Sequence, residues 1–145
     1  MDIRIVIAEG HPLIMSGLRA VLSTEPDFRV VGEAVDGMDA QEMAARLDPD
    51  VVLVDINLPG ASGVEATRQL VRAISPVRVL LLSTFPESAN AGVARATGTN
   101  GCIDLDVSAR EVIDAIRTAA LAAEPVARAG ATAFVGNHTP PLAVV

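Results

Sequence analysis

The sequence contains no lysine, and cysteine occurs only once. All eleven basic residues are arginines, so no side chain of this chain can supply an ammonium group. The single Cys102 rules out a disulfide within the chain and is typical of a protein in the reducing cytosol. We therefore expect a cytoplasmic protein without a disulfide framework.

Positive charge and long apolar runs are also scarce. The net charge is −7 and the isoelectric point is near 4.7, whereas a protein that grips nucleic acid by itself needs a basic face. No apolar run approaches the roughly 18 residues that cross a bilayer, and the N-terminus lacks the pattern of an export signal. Half of the residues are apolar, which is enough for one domain to bury its own core. We expect no direct contact with nucleic acid or membrane.

Short apolar runs alternate with amphipathic segments along most of the chain. The runs predict strands at Ile3–Ala8, Arg29–Ala34, Val51–Asp55, Arg78–Leu82 and Gly101–Leu105. Apolar residues at helical spacing predict helices at Pro12–Ser23, Asp39–Leu47, Ser62–Ile74 and Ser108–Ala122, with a weaker one at Glu87–Thr97. This order predicts an α/β fold of the (βα)5 type, with a doubly wound, parallel, five-stranded sheet. After about Glu124 the pattern gives way to Pro, Gly, Ala and Thr, as in a linker.

The residues at the strand ends matter most, because ligands of such sheets lie beyond the carboxyl ends of the strands. These residues are Glu9-Gly10, Asp55, Ser83-Thr84 and Leu105-Asp106. A carboxylate such as Asp55 at the end of a buried strand suits a nucleophile or a metal ligand. The simpler alternative is that Asp55 only caps its strand.

Over residues 2–122 the sequence resembles the receiver domains of bacterial two-component response regulators, in the NarL/FixJ subgroup. The resemblance is carried by IRIVIAEGHPLIMSGLRAVL, FRVVGEAVDGMDA, PDVVLVDINLPGASGVEATRQL, RVLLLSTF and GCIDLDVS, followed by an EVIDAIR helix. It implies a flavodoxin-like receiver fold over residues 1–122. It also implies that residues 123–145 are a linker or tail leading to a helix-turn-helix output domain, absent from this sequence, through which the protein would reach DNA.

The resemblance also assigns roles to single positions. Asp55 would accept a phosphoryl group from a histidine kinase. Mg²⁺ would be held by Asp55, by the backbone carbonyl of Asn57 and by two acids at positions 9 and 10. The phosphoryl oxygens would be bound by the hydroxyl of Ser83 and by a lysine at position 105. Mg²⁺ is needed there because a carboxylate that approaches a phosphoryl group brings like charges together.

Three of these positions depart from the pattern of the family. The second acid is Gly10, the lysine is Leu105, and the aromatic switch residue is Cys102. The missing lysine alone removes a charge-assisted contact of about 1.5–3 kcal/mol. We therefore expect a weak or absent Mg²⁺ site at Glu9 and Asp55, no other cofactor, and little or no phosphorylation of Asp55. The site would be vestigial, and an enzyme acting on an external substrate is not expected.

Three other functions stay open. One is a working phospho-receiver in which Glu9 and Asp55 suffice for the metal. The second is a ligand-sensing module, because Asp104 interrupts the apolar fifth run and the helix at Glu87–Thr97 lacks large apolar residues. Drift toward alanine would explain that helix equally well. A small-molecule pocket would lie near Ser83, Thr84, Asp104 and Leu105. The third is a constitutive dimerisation module, and we expect a homodimer.

Overall fold

The computed structural model describes residues 2–59, 63–73, 78–83, 101–104, 108–122 and 133–135. The strands are β1 (Ile3–Ala8), β2 (Phe28–Ala34), β3 (Val51–Asp55), β4 (Arg78–Ser83), β5 (Gly101–Asp104) and β6 (Ala133–Val135). The helices are α1 (Pro12–Leu22), α2 (Gly37–Leu47), α3 (Gly63–Ala73) and α4 (Ala109–Ala120). The helix predicted at Glu87–Thr97, together with Thr84 and Leu105, lies outside these ranges.

All strands pair in parallel, in the order β2-β1-β3-β4-β5-β6. The predicted doubly wound parallel sheet is confirmed, but it has one strand more than the five predicted. The additional β6 pairs with β5 and lies within the segment predicted to be a linker. Three residues are too few to establish a strand pattern in a sequence rich in Gly, Ala and Thr, so the pattern gave no signal for β6.

The core has two layers because side chains alternate between the two faces of each strand. One layer joins the sheet to α1 and α4 and contains, among others, Ile5, Ile7, Leu53, Leu18 and Ile116. The other joins the sheet to α2 and α3 and contains, among others, Val6, Val52, Val54, Ala44 and Leu70. The central strand β3 is buried along its whole length, as its continuous apolar sequence predicts.

The helix ends follow local sequence signals. Pro12 opens α1, where its missing N–H removes no helical hydrogen bond. The predicted capping box is present at α4, where Ser108 and Glu111 each accept a hydrogen bond from the backbone N–H of the other. These two local signals mark where α1 and α4 begin, beyond the carboxyl ends of the strands.

At the amino ends of the strands, Arg117 of α4 connects that helix to the turn between α1 and β2. Its guanidinium donates hydrogen bonds to both carboxyl oxygens of Asp27 and to Oε1 of Glu25, the last at 2.7 Å. The guanidinium carbon also lies 4.8 Å from the centre of the Phe28 ring. The hydrogen bond from Arg117 lowers the pKa of Asp27.

Candidate functional site

Three of the predicted site residues meet at the carboxyl ends of neighbouring strands. Glu9 follows β1, Asp55 ends β3 and Ser83 ends β4. Their exposed fractions are 1% for Glu9, 3% for Asp55 and 1% for Ser83. Burying a carboxyl group is unfavourable unless hydrogen bonds or a cation compensate. The contacts of Glu9 and Asp55 therefore decide what this site can do.

The turn after β3 holds Asp55 in a fixed orientation. Oδ1 of Asp55 accepts a hydrogen bond from the backbone N–H of Asn57 at 2.9 Å. The carbonyl of Asp55 accepts one from the N–H of Leu58 at 3.1 Å, and the N–H of Ile56 donates to the carbonyl of Leu82 at 2.9 Å. The predicted phosphoacceptor is thus a buried, oriented carboxyl at the base of a tight turn.

Glu9 lies beside Asp55 and lacks a cation of its own within the described part of the chain. Its Oε2 accepts a hydrogen bond from the backbone N–H of His11 at 3.0 Å. Its Oε1 is buried and, among the described residues, has no conventional donor. Burial, and then the neighbouring Asp55 carboxyl, raise the pKa of Glu9 to about 7. The protonated form of the Glu9 carboxyl is therefore favoured beside Asp55.

Gly10 occupies the position of the second acid, and the space beside it is filled. A Cβ atom built on Gly10 would lie 2.7 Å from Cδ and 2.8 Å from Cγ of Pro59, and 3.5 Å from the carbonyl oxygen of Val35. The backbone of Gly10 is outside the left-handed region, so its conformation alone does not require glycine. A larger residue would require Pro59 to shift, because carbon atoms in contact lie about 3.5–4.0 Å apart.

The donor set is smaller than the one that the resemblance implies for Mg²⁺. Mg²⁺ prefers near-ideal octahedral coordination by oxygen, in which one or two carboxylates are completed by water. The two carboxyls of Glu9 and Asp55 are the acids at this site, and Pro59 fills the space of a third. Among the residues that the structure describes, no group of three or more His, Cys, Asp or Glu side chains could hold a metal ion.

Two further predicted site residues lie in β5. Asp104 is the register partner of Ser83, and both are buried with interacting partners. Cys102 is also buried, and burial, with a smaller contribution from the charge of Asp104, raises the pKa of Cys102 to about 12. Its thiol is therefore a buried apolar group rather than a reactive thiolate. The pocket was predicted near Ser83, Thr84, Asp104 and Leu105, and of these residues Thr84 and Leu105 lie outside the described ranges.

Sequence reasoning missed the Gly10–Pro59 contact and a groove between α1 and the end of β2. The groove has a volume of about 270 Å³ and is lined by Glu9, Gly10, Pro12, Met15, Ser16, Arg19, Glu33 and Val35. At its edge Arg19 donates two hydrogen bonds to Glu33, at 2.6 and 3.1 Å, which lower the pKa of Glu33. No local pattern marks these contacts, because they join residues that are far apart in the sequence.

No helix in the described ranges is both long and apolar enough to cross a membrane.

Comparison with known proteins identifies the family. The model of the response regulator receiver domain matches residues 5–117. The transcriptional regulatory protein DegU of Brevibacillus brevis is 37% identical over 118 residues, which cover 81% of this chain and 50% of DegU. LiaR of Bacillus subtilis is 34% identical over 117 residues, covering 81% of this chain and 56% of LiaR. The chain thus spans about half the length of these curated relatives.

Solved structures agree with this result. A signal receiver domain described as NarL from Mycobacterium tuberculosis superposes with a TM-score of 0.78 at 34% identity, covering 82% of this chain and 96% of that one. A LuxR-family response regulator from Aurantimonas sp. SI85-9A1 gives 0.78 at 30% identity, covering 83% and 86%. The strand order, the strand-end carboxyls and these matches lead to one conclusion: the chain belongs to the response regulator receiver domain family, in its NarL/FixJ subgroup.

Proposed function

We propose that this chain is an atypical receiver domain of a bacterial transcription regulator and acts without Mg²⁺-dependent phosphorylation of Asp55. The observation that carries the proposal is the composition of the strand-end site. Two buried carboxyls, Glu9 and Asp55, face each other, and the third acid of the family is replaced by Gly10. The regulator as a whole would work in the cytoplasm as a homodimer and reach DNA through a separate output domain.

The chemistry of phosphoryl transfer supports this proposal. The transferred group is strongly anionic, and catalysis of its transfer depends on positioning and on cations that offset the negative charge. Glu9 is the one acid that remains after β1 to hold such a cation, because Gly10 has no side chain. Leu105 stands where the family has a lysine, and the sequence holds no lysine that could substitute. Ordinary receivers have two sources of positive charge, the metal and the lysine. Here the first is weakened and the second is missing.

The same gaps weaken any response to phosphorylation. A modification shifts a conformational equilibrium only if it interacts differently with the two states. In the family that difference comes from contacts to the phosphoryl group and from an aromatic switch residue, and Cys102 occupies the switch position here. We infer that the domain contributes to regulation through its folded, dimeric form, without catalytic activity and without a required histidine kinase.

Intact-mass spectrometry tests the proposal. The protein is incubated with acetyl phosphate and millimolar Mg²⁺, beside Asp55→Asn and beside a receiver domain that carries both acids and the lysine. We expect a mass increase of one phosphoryl group in the complete receiver only. An increase that disappears in Asp55→Asn would contradict the proposal.

A second readout covers an acyl phosphate that forms and hydrolyses too fast to be seen. Beryllium fluoride with Mg²⁺ mimics the phosphoryl group without turnover, so the unfolding temperature is measured with and without it. We expect a shift for the complete receiver and none for this chain. A shift that depends on both Mg²⁺ and Asp55 would reject the proposal.

The alternative of a working phospho-receiver is favoured by one observation. Asp55 is oriented by the N–H of Asn57, and Ser83 ends the neighbouring strand, so two groups of the phosphorylation site keep their places. In that case Glu9 and Asp55 would bind the metal between them, and both experiments above would give a positive result.

A further inference from the structure

We propose that the outer edge of β5 is a strand-addition site, which the tail of this chain fills as β6, and that β6 keeps a second copy of the chain from pairing there. The partner that β6 excludes is the β5 strand of that second copy. This inference goes beyond the proposed function and does not depend on it, because it concerns which surface is open for association rather than the chemistry of Asp55.

The first support is the character of β5. Its four residues are all buried, and Cys102 and Ile103 belong to the two different core layers. Without β6, the backbone N–H and C=O groups along the outer side of this strand would lack strand partners. An apolar strand with such an edge is a template for pairing with another chain. The edge of β5 therefore needs a cover.

The pairing with β6 supplies that cover. β6 runs parallel to β5, and α4 connects the two strands, so β5, α4 and β6 repeat the strand-helix-strand unit found in the rest of the sheet. The new edge is only three residues long, and short edge strands are one way in which proteins avoid pairing with other chains. The register partners of Gly101, Cys102 and Ile103 are Ala133, Phe134 and Val135.

The opposite edge of the sheet is protected in a different way. β2 carries Arg29 and Glu33, which form ion pairs with Asp2 and Arg19. Charged side chains on an edge strand discourage pairing with another chain. The part of β5 that pairs with β6 contains no charged residue. Charge therefore protects the β2 edge, whereas the β5 edge depends on β6.

The connection to β6 is long enough for this strand to detach and return. The carbonyl of Ala122, just after α4, accepts a hydrogen bond from Arg78 at the start of β4. Residues 123–132 follow, and ten residues can span at most about 33–36 Å. Neighbouring strands lie only about 4.8 Å apart, so this segment far exceeds the distance from β4 to β6. A short strand on a long connection can be displaced without unfolding the domain.

The single cysteine provides a test of where β6 lies. Phe134→Cys places a second thiol at the register partner of Cys102, where Cα atoms about 4.8 Å apart permit a disulfide. The variant is unfolded in urea and refolded in a glutathione redox buffer, so that the buried Cys102 can react. We expect a disulfide within one chain, detected as the loss of two hydrogens from the intact mass of a monomer.

Val135→Cys is the matched control, because successive positions of a strand lie on opposite faces of the sheet. We expect little or no link between this position and Cys102 under the same conditions. Equal linking in both variants, or none in Phe134→Cys, would overturn the placement of β6 on the edge of β5. A link between two chains would also overturn the proposal, because β6 would then cover the other copy.

Analytical ultracentrifugation over a concentration series tests what β6 excludes. Phe134→Pro/Val135→Pro removes two successive backbone N–H groups, of which one must face β5. We expect its weight-average mass to rise to about twice the native value at the same concentration, because each copy then offers a free β5 edge. The control Ala129→Pro/Gly130→Pro places the same rings before β6 and should keep the native mass.

Two further proteins complete this experiment. Phe134→Gly/Val135→Gly weakens the strand without introducing proline rings, and we expect the same rise in mass. Oxidised Phe134→Cys, in which β6 cannot leave, should keep the native mass at every concentration. An unchanged mass in the proline and glycine variants, or a rise in oxidised Phe134→Cys, would overturn the claim that β6 excludes a second copy.

Discussion

Two pairs of acids, which lie at opposite ends of the strands, differ in the groups that surround them. Glu25 and Asp27 share the guanidinium of Arg117, whose hydrogen bond lowers the pKa of Asp27. Glu9 and Asp55 are more deeply buried, and burial, followed by the hydrogen bond with the Asp55 carboxyl, raises the pKa of Glu9 to about 7. The first pair is a structural connection between α4 and the α1–β2 turn. The second pair has no such cation among the described residues, and a strongly shifted pKa of this kind is typical of functional sites.

Under the proposed function, the difference would explain how a receiver fold persists without its phosphorylation chemistry. The connection through Arg117 and the two apolar core layers stabilise the fold without any ligand. The strand-end pair works against stability whenever both carboxyls are ionised. A metal would offset that repulsion in an ordinary receiver. In this chain the raised pKa of Glu9 lets that carboxyl take up a proton, which removes the repulsion as the pH falls below about 7.

The largest effect is expected from Glu9→Gln. The raised pKa of Glu9 means that the folded protein binds a proton more tightly than the unfolded chain between pH 4.5 and about 7. The stability of the native protein should therefore fall as the pH rises through that range, by about 3 kcal/mol at most. Glutamine stays uncharged, can still accept from the N–H of His11, and can donate to Asp55.

Urea unfolding at pH 5 and pH 8 measures this effect. We expect Glu9→Gln to be more stable than the native protein at pH 8 and to lose most of the pH dependence between the two values. Glu25→Gln is the control from the other pair, and it should not stabilise the protein at pH 8. If the stability of Glu9→Gln depended on pH as that of the native protein does, ionisation of Glu9 would not destabilise the fold, and the prediction would be wrong.

A smaller effect of the opposite sign is expected from Arg117→Met. Methionine keeps much of the apolar stem but removes the cation. Asp27 then loses its partner and Glu25 keeps only the more distant Arg110, at 3.9 Å, so the unfolding temperature should fall at pH 7. Because the folded-state pKa of Asp27 is lowered, its contribution is present above the unfolded value of 3.8 and disappears as the pH falls through the folded-state pKa.

The difference in unfolding temperature between the native protein and Arg117→Met should therefore become smaller when thermal unfolding is repeated at progressively lower pH. A gap that stayed constant down to pH 2 would mean that Arg117 acts through packing on Phe28 rather than through its ion pairs.

The smallest effect concerns Cys102, a buried titratable group that belongs to neither pair. The pKa of its thiol is raised to about 12, and the side chain is nearly inaccessible. We expect a thiol reagent such as 5,5′-dithiobis(2-nitrobenzoate) to react very slowly at pH 8 and rapidly in concentrated urea. Fast reaction in the folded state would contradict the burial of Cys102.

Much of the fold could be predicted because local sequence determines it. Val51–Asp55 is apolar throughout and forms the buried central strand, and Ser108 with Glu111 marks the start of α4. The strand β6 could not be predicted, because three residues carry too short a pattern and their pairing with β5 depends on the rest of the sheet.

The candidate site divides in the same way. The positions of Glu9 and Asp55 at adjacent strand ends follow from the parallel topology, and the missing side chain at Gly10 is visible in the sequence. The raised pKa of Glu9 and the contact of Gly10 with Pro59 could not be predicted. Both arise from the packing of loops that are far apart in the chain. The spacing and periodicity of residues in the sequence give no information about such packing.

The measurement that tests the central claim most directly is the intact mass of the native protein after incubation with acetyl phosphate and Mg²⁺. We expect the mass to remain that of the unmodified chain while a receiver with a complete site gains one phosphoryl group. A gain of one phosphoryl group by the native protein that is lost in Asp55→Asn would contradict the claim and restore this domain to the ordinary phosphorylation cycle.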